Sequence, residues 1–177
     1  MSQILIRPAK LEDCPSIARV RISTWRSAYQ GIVPQRHLDE LSLPVITRQF
    51  QDIFQQENPC LWVAEQKDEI TGFAHAGEYR GDDPAAGEVY AIYILDKCQG
   101  QGIGSQLMAS VCQQLHQTGK EFLYVAVLED NPYRLFYERL GGQIIRKETF
   151  AMEDKPLPLV YYWWSDINQL CQDSKHR

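Results

Sequence analysis

A chain of 177 residues with 44% hydrophobic and 23% charged residues has the size and balance of one globular domain, which excludes a disordered or membrane-embedded protein. Its net charge of −5 argues against nucleic acid as a partner, because binding phosphate backbones needs a concentrated basic surface. The five cysteines (14, 60, 98, 112 and 171) are scattered and lack a C-x-x-C pair, so neither a disulfide framework nor a zinc site is expected and the setting is read as cytoplasmic.

Residues 3–7 read as a first strand, without the basic region, apolar stretch and cleavage site of a secretion signal. No apolar run approaches the roughly 20 residues that span a bilayer, so no membrane partner is expected. Helical segments are expected over 13–29 and 34–55. Leu61–Glu65 and Ile70–Ala76 read as strands joined by a polar turn, and residues 80–87 are turn chemistry, read as an exposed loop. From Glu88 to Leu95, Val89, Ala91, Tyr93 and Leu95 alternate with Glu88, Tyr90, Ile92 and Ile94. Both sets are largely apolar, which predicts a central strand covered on both faces.

Ile103, Leu107, Met108, Val111 and Leu115 then recur at helical spacing up to Gly119, a C-terminal stop, and 121–127 reads as a strand. Strand, helix, strand in that order implies a parallel crossover. Asn131-Pro132 opens a short helix, with Asn as cap and Pro at the first helical position, ended by Gly141-Gly142. Strands at 143–150 and 158–164 complete a single α/β domain over residues 1–167, a mixed sheet with helices on both faces. Residues 168–177 read as a polar, frayed tail.

Between the buried strand and the amphipathic helix lies Gln99-Gly100-Gln101-Gly102-Ile103-Gly104. Missing Cβ atoms let backbone N–H groups converge on an anion, and a helix N-terminus adds unsatisfied donors and partial positive charge. A diphosphate is the natural occupant of such a nest. The dinucleotide fingerprint fails here, because it needs Gly or Ala where Ser105 stands, and no Gly-Lys-Ser/Thr ending of a P-loop follows. Taken alone, these residues leave two readings open, an anion nest or a turn that is glycine-rich only to bend tightly.

Gln99-x-x-Gly102-x-Gly104 resembles the R/Q-x-x-G-x-G/A signature of the GNAT N-acetyltransferase superfamily. Glu88-Val89-Tyr90-Ala91-Ile92-Tyr93-Ile94 is similar to the strand before that signature, and Asn131 to Gly142 to the later N-x-x-x-x-x-Y-x-x-x-G-F/G segment. Trp25-Arg26-x-Ala28-Tyr29-x-Gly31-Ile32-Val33-Pro34 is similar to the first helix pair of small bacterial members, and the resemblance extends over about residues 4–164. Cys98 stands where an aromatic or Arg is common, and Gln99 replaces the more usual Arg, giving up a charge–charge contact to phosphate. The resemblance implies a mainly antiparallel sheet with one parallel crossover, acetyl-CoA as acyl donor, and no metal. It assigns Gln99, Gly100, Gln101, Gly102, Ile103, Gly104 and Ser105 to the diphosphate. It also assigns Ile92, Tyr93 and Ile94 to the pantetheine arm and Asn131 to a further cofactor contact.

Making an amide from a thioester requires a neutral amine, a polarised carbonyl and a protonated leaving thiolate. An alkylammonium titrates near 10.4, so a proton acceptor is useful. Glu88, at the start of the central strand, is the candidate, and its bland reading is closure of the 80–87 loop or an ion pair. Tyr90 shares its face and is read as lining a water path. By resemblance Tyr137 lies beside the cofactor sulfur and protonates the thiolate, with Tyr133 one turn earlier as the alternative. Trp25 and Tyr29 look like acceptor-pocket residues or a buried aromatic pair. His37, His75, His116 and His176 have no ligand spacing, and Cys98 reads as packing.

The function expected is direct transfer of acetyl from acetyl-CoA to a primary amine of a small molecule or peptide, by a monomer or homodimer. The alternative is a non-catalytic acyl-CoA sensor, which has no need of both Glu88 and Tyr137. Tyr161-Tyr162-Trp163-Trp164 is a dimerisation surface if exposed and core if buried.

Overall fold

The structure is a computed structural model that describes residues 3–171. In chain order the elements are β1 (Ile4–Pro8), a 3-10 turn (Leu11–Asp13), α1 (Cys14–Ala28), α2 (Gln35–Asp39), α3 (Leu43–Ile53), β2 (Cys60–Gln66), β3 (Glu69–Glu78) and β4 (Ala86–Ile94). A second 3-10 turn (Asp96–Cys98) precedes α4 (Ile103–Gln117), β5 (Phe122–Leu128), α5 (Leu135–Arg139), β6 (Gln143–Met152), β7 (Lys155–Trp164) and α6 (Asn168–Cys171). The strands form a seven-stranded sheet in the order β1-β2-β3-β4-β5-β7-β6. β4 and β5, joined through α4, pair in parallel, and the other neighbours are antiparallel.

Helices cover both faces. On one, Ile103, Leu107, Val111 and Leu115 of α4 are buried against Val89, Leu123, Val125, Tyr162 and Trp164. On the other, Ile17 and Val20 of α1 and Ile46 and Phe50 of α3 are buried against Leu61, Val63 and Phe73. Fully burying a side chain of this size contributes about 1.5–3 kcal/mol, so the two layers hold the sheet from both sides. Tyr162 and Trp164 are among these buried residues, so that side of the aromatic C-terminal strand is core, whereas Tyr161 and Trp163 on its other side are half-buried. Among the described residues no helix is long and apolar enough to cross a membrane.

Several element boundaries differ from the sequence expectation. The helix expected over 34–55 divides into α2 and α3, because Pro44 lies at the start of α3 and Ser42 before it is extended. Residues 86–87 belong to β4 rather than to the preceding loop, since Ala86 and Gly87 pair with Phe122 and Leu123 of β5. α5 begins at Leu135, after a tighter turn in which Arg134 N–H donates to the Asn131 carbonyl at 3.1 Å. Asn131 still caps that turn, its Oδ1 accepting from Tyr133 N–H at 2.8 Å. β7 starts at Lys155 and includes Pro156 and Pro158. Below Leu159 its only bond on the β5 side is Glu129 N–H to the Pro158 carbonyl at 2.8 Å, so the missing N–H groups fall where the β5 ladder has ended. Of the expected polar tail, residues 168–171 form α6 with Leu170 buried in the α4 core, and residues 172–177, including His176, lie outside the described residues.

An irregularity in β4 shapes the site. His75 of β3 pairs with Ala91 and Ala76 with Val89, leaving Tyr90 as an extra residue, a β-bulge. Before the bulge Ala86, Gly87 and Glu88 pair with Phe122, Leu123 and Tyr124. After it β4 stays with β3, while β5 continues along β7. The bulge also resets the expected alternation. Ile92 and Ile94 share the α4 face with Val89, whereas Ala91 and Tyr93 share the α1 face with Phe73.

Candidate active site

The parting of β4 and β5 leaves two strand edges facing each other across a split that begins at Glu88 and Tyr124. At its mouth the glycine turn enters α4. Gly100 and Gly102 have φ of +72° and +76°, a left-handed backbone that favours glycine, and Gly102 is the cap of α4. Gln106 N–H makes the first helical bond, to the Gly102 carbonyl at 3.2 Å. The amides of residues 100–105 have no acceptor among the described residues. These donors, together with the positive end of a 15-residue helix, make a nest for an anion. A Cβ at Gly104 would come within 3.1 Å of Phe136 in α5, so glycine here also lets α5 close on the helix start.

The side chains around the nest are arranged differently from the expectation. Gln99 folds back, its Nε2 donating to the Ile94 carbonyl and to Asp96 Oδ1, each at 3.2 Å, so the structure turns it toward the strand end. Gln101 Oε1 accepts from Gln66 at 3.3 Å. Cys98 is buried, in keeping with a packing role.

Across the split, residues distant in sequence converge. Tyr137, at the centre of α5, is buried against Tyr162 and Trp164, and its hydroxyl makes no hydrogen bond among the described residues. Burial raises its pKa, reinforced by the neighbouring hydroxyls of Tyr93 and Tyr162, so it stays protonated as a donor. Tyr133, the alternative, is exposed. Trp25 Nε1 donates to the Tyr93 hydroxyl at 3.0 Å, and Asn131 Nδ2 donates to the Tyr29 hydroxyl at 2.8 Å. Trp25 and Tyr29 also contact each other ring to ring, with centroids 4.7 Å apart. Thus the end of α1 is tied to β4 through Trp25 and to the turn before α5 through Tyr29, and Asn131 spends its side chain within the protein.

Glu88 lies at the point where the strands part and is 3% exposed. Its carboxylate accepts from Arg80 Nε at 3.1 Å on each oxygen, from Arg80 N–H at 3.1 Å, and from Arg80 Nη2. Tyr90 donates to the Glu78 carbonyl, and its ring lies under the Arg80 guanidinium, 5.0 Å away. The bare Gly77 makes room for that ring. Burial pushes the Tyr90 pKa up to about 12, with the Glu88 charge adding. Arg80, which sequence reasoning missed, thus holds both the Glu88 carboxylate and the Tyr90 ring.

Two more residues of this face were not singled out. Burial, and then Arg21 and Arg80, push the His75 pKa down to about 4, so its ring is neutral near pH 7. It lies against Tyr90, with ring centroids 5.0 Å apart. Arg21 projects from α1 toward Trp25 and Phe50, 6.0 Å from each ring centroid. Alternation alone places His75 on the face of Phe73, but nothing local links it to Arg21.

The sequence model of the acetyltransferase (GNAT) family matches residues 22–142. The chain is 32% identical over 170 residues to the uncharacterized N-acetyltransferase YuaI of Bacillus subtilis (strain 168), covering 94% of this chain and 96% of that protein. Its fold is similar to the crystal structure of an N-acetyltransferase from Staphylococcus aureus Mu50, with TM-score 0.74 and 22% identity, covering 94% and 99% of the two chains. It is also similar to yncA of Salmonella typhimurium, solved with its cofactor acetyl-CoA, with TM-score 0.68 and 18% identity, covering 92% and 93%.

Proposed function

The chain belongs to the acetyltransferase (GNAT) family and is an N-acetyltransferase, and on that premise we propose that it moves acetyl from acetyl-CoA directly onto a primary amine of a small molecule or peptide. The observation that carries the donor is the run of amides at 100–105 without acceptors, at the start of α4 and beside the split in the sheet. That nest suits the diphosphate of coenzyme A, and yncA, a fold relative, was solved with acetyl-CoA.

Acetyl-CoA supplies an activated acyl thioester when bound. The edge of β4 beyond the bulge, at Ile92 and Ile94, is left without a strand partner on the β5 side and suits the pantetheine arm as an added strand. A β4 amide aimed at the acyl oxygen would stabilise the charge that develops there. Tyr137 is the proton donor to the departing thiolate, supported by a protonated hydroxyl with no protein acceptor. Glu88 is the proton acceptor for the ammonium, through water. For this Arg80 must release one carboxylate oxygen, and its side chain is 68% exposed, on a loop where it can swing away. Trp25, Tyr29 and Tyr93 form the acceptor side.

The test is thermal shift with acetyl-CoA followed by thiol-release assays over an amine panel. Acetyl-CoA at 100 times its Kd should add about 2.7 kcal/mol of stability. No stabilisation by acetyl-CoA would overturn the reading, and stabilisation without turnover on a broad panel would point to a sensor.

A further inference from the structure

Arg21 is half-buried between α1, α3 and the β3–β4 face, and no Asp or Glu lies within ion-pair distance of it among the described residues. A guanidinium withdrawn from water is ordinarily paired. Its contacts are Gln49 Oε1, at 3.3 Å from Nη1, and the rings of Trp25 and Phe50. Neither offers a negative charge. The other charged groups of this face do not change the balance. Arg80 and Glu88 neutralise each other, and His75 is uncharged near pH 7. On a chain of net charge −5, Arg21 is thus a half-buried positive charge with no ion pair among the described residues, whereas Arg19, Arg26 and Arg48 of the same helices are exposed.

The place of that charge matters. Arg21 is one helical turn from Trp25, whose Nε1 holds the Tyr93 hydroxyl, and the Arg21 charge acts on Tyr93 directly. Tyr93 in turn is electrostatically coupled to Tyr137 across the split. Arg21 thus stands beside Trp25, on the proposed acceptor side.

Resting on the acetyltransferase reading above, we propose that Arg21 binds the carboxylate of the acceptor, so that the acceptor is a small amine carrying its own carboxylate, an amino acid in the chemical sense. A guanidinium flanked by Trp25 and Phe50 has its fork held in plane, which matches a planar carboxylate in two parallel hydrogen bonds. The second guanidinium of the face, Arg80, remains the charge partner of Glu88 even when it frees one oxygen, so a single carboxylate fits the charge balance better than a doubly charged phosphate.

The experiment compares free amino acids with their primary amides as acceptors in a thiol-release assay with acetyl-CoA, for the unmodified enzyme, Arg21→Gln and Arg21→Lys. Free acids should be preferred. Arg21→Gln should raise their KM roughly 10- to 100-fold, the loss expected for a charge-assisted hydrogen-bonded pair. KM for the amides and for acetyl-CoA should stay unchanged, and Arg21→Lys should restore part of the preference. Amides used as well as acids, or equal losses for both in Arg21→Gln, would overturn the proposal. If no amine on the panel turns over, calorimetric titration of the CoA-loaded protein with N-acetyl amino acids and N-acetyl amino acid amides gives the second readout. Tighter binding of the acids, lost in Arg21→Gln, supports the proposal, and equal or undetectable binding of both overturns it. The underlying donor reading fails separately, by absence of any thermal shift with acetyl-CoA.

Discussion

A tyrosine with a raised pKa is a reluctant acid and a durable hydrogen-bond donor. Burial of Tyr137 beside Tyr93 and Tyr162 makes it so, and a departing thiolate near pKa 8.5 needs only modest help. Tyr137→Phe should therefore lower kcat by about 10²-fold, the low end for general acids, with the Kd for acetyl-CoA little changed. Equal losses in both would show that the ring serves packing. Glu88 calls for a paired test because Arg80 holds it. Glu88→Gln should remove the acidic limb of the kcat/KM pH profile while Arg80→Met keeps it. Identical profiles in both variants would reduce the pair to a loop clasp. His75 makes a prediction about stability. Its pKa, depressed to about 4 in the fold against 6.5 when exposed, means the unfolded chain binds its proton first. Stability should be full above pH 6.5 and fall by up to about 3 kcal/mol as pH drops to 4. Denaturant melts across that range should show the fall, and His75→Gln should flatten it.

At the scale of the element, the glycine turn does two separable jobs. Gly102 adopts a φ of +76° so that α4 can begin with its amides turned outward, and Gly119 adopts +88° simply to end the same helix. Alanine at either position costs about 1–2 kcal/mol of backbone strain. Thermal melts should show similar losses for Gly102→Ala and Gly119→Ala, and kinetics should show a raised KM for acetyl-CoA in Gly102→Ala only. A matching KM rise in Gly119→Ala would mean that destabilisation, not the nest, weakens the donor. The β4 bulge is the other decisive element. One extra residue, Tyr90, bends the strand just past its β5 pairing and brings Ile92 and Ile94 onto the face of Val89, leaving Ala91 and Tyr93 on the other. Strict alternation read from the letters misses this, since a bulge has no local signature beyond a break in a pattern that was apolar on both sides.

For the whole molecule, the sheet has one apolar core on each face, with a third cluster of Ala28, Tyr29, Val33, Leu38 and Leu157 at the end of α1, and α4 belongs to the first of them. Leu107→Ala, at a fully buried position of α4, should cost about 2–5 kcal/mol by chemical denaturation. Because α4 also carries the nest, acetyl-CoA should recover part of that loss in a thermal shift. Much of this architecture was legible in the amino-acid sequence. The strand–glycine–helix–strand order, the α4 periodicity and the Asn131 cap are short-range features, written in residues a few positions apart, and they sufficed for the sheet's crossover, the family resemblance and the donor. What required the tertiary structure are the meetings of residues far apart in the chain. These are Asn131 with Tyr29, Trp25 with Tyr93, Arg80 over Glu88 and Tyr90, and Arg21 against Phe50. No periodicity encodes such pairs, because each depends on how strands and helices from separate segments pack. The proposed nest for the donor is built by one contiguous turn, whereas the proposed acceptor side is assembled from α1, α3, β3 and β4 and exists only once they have closed on one another.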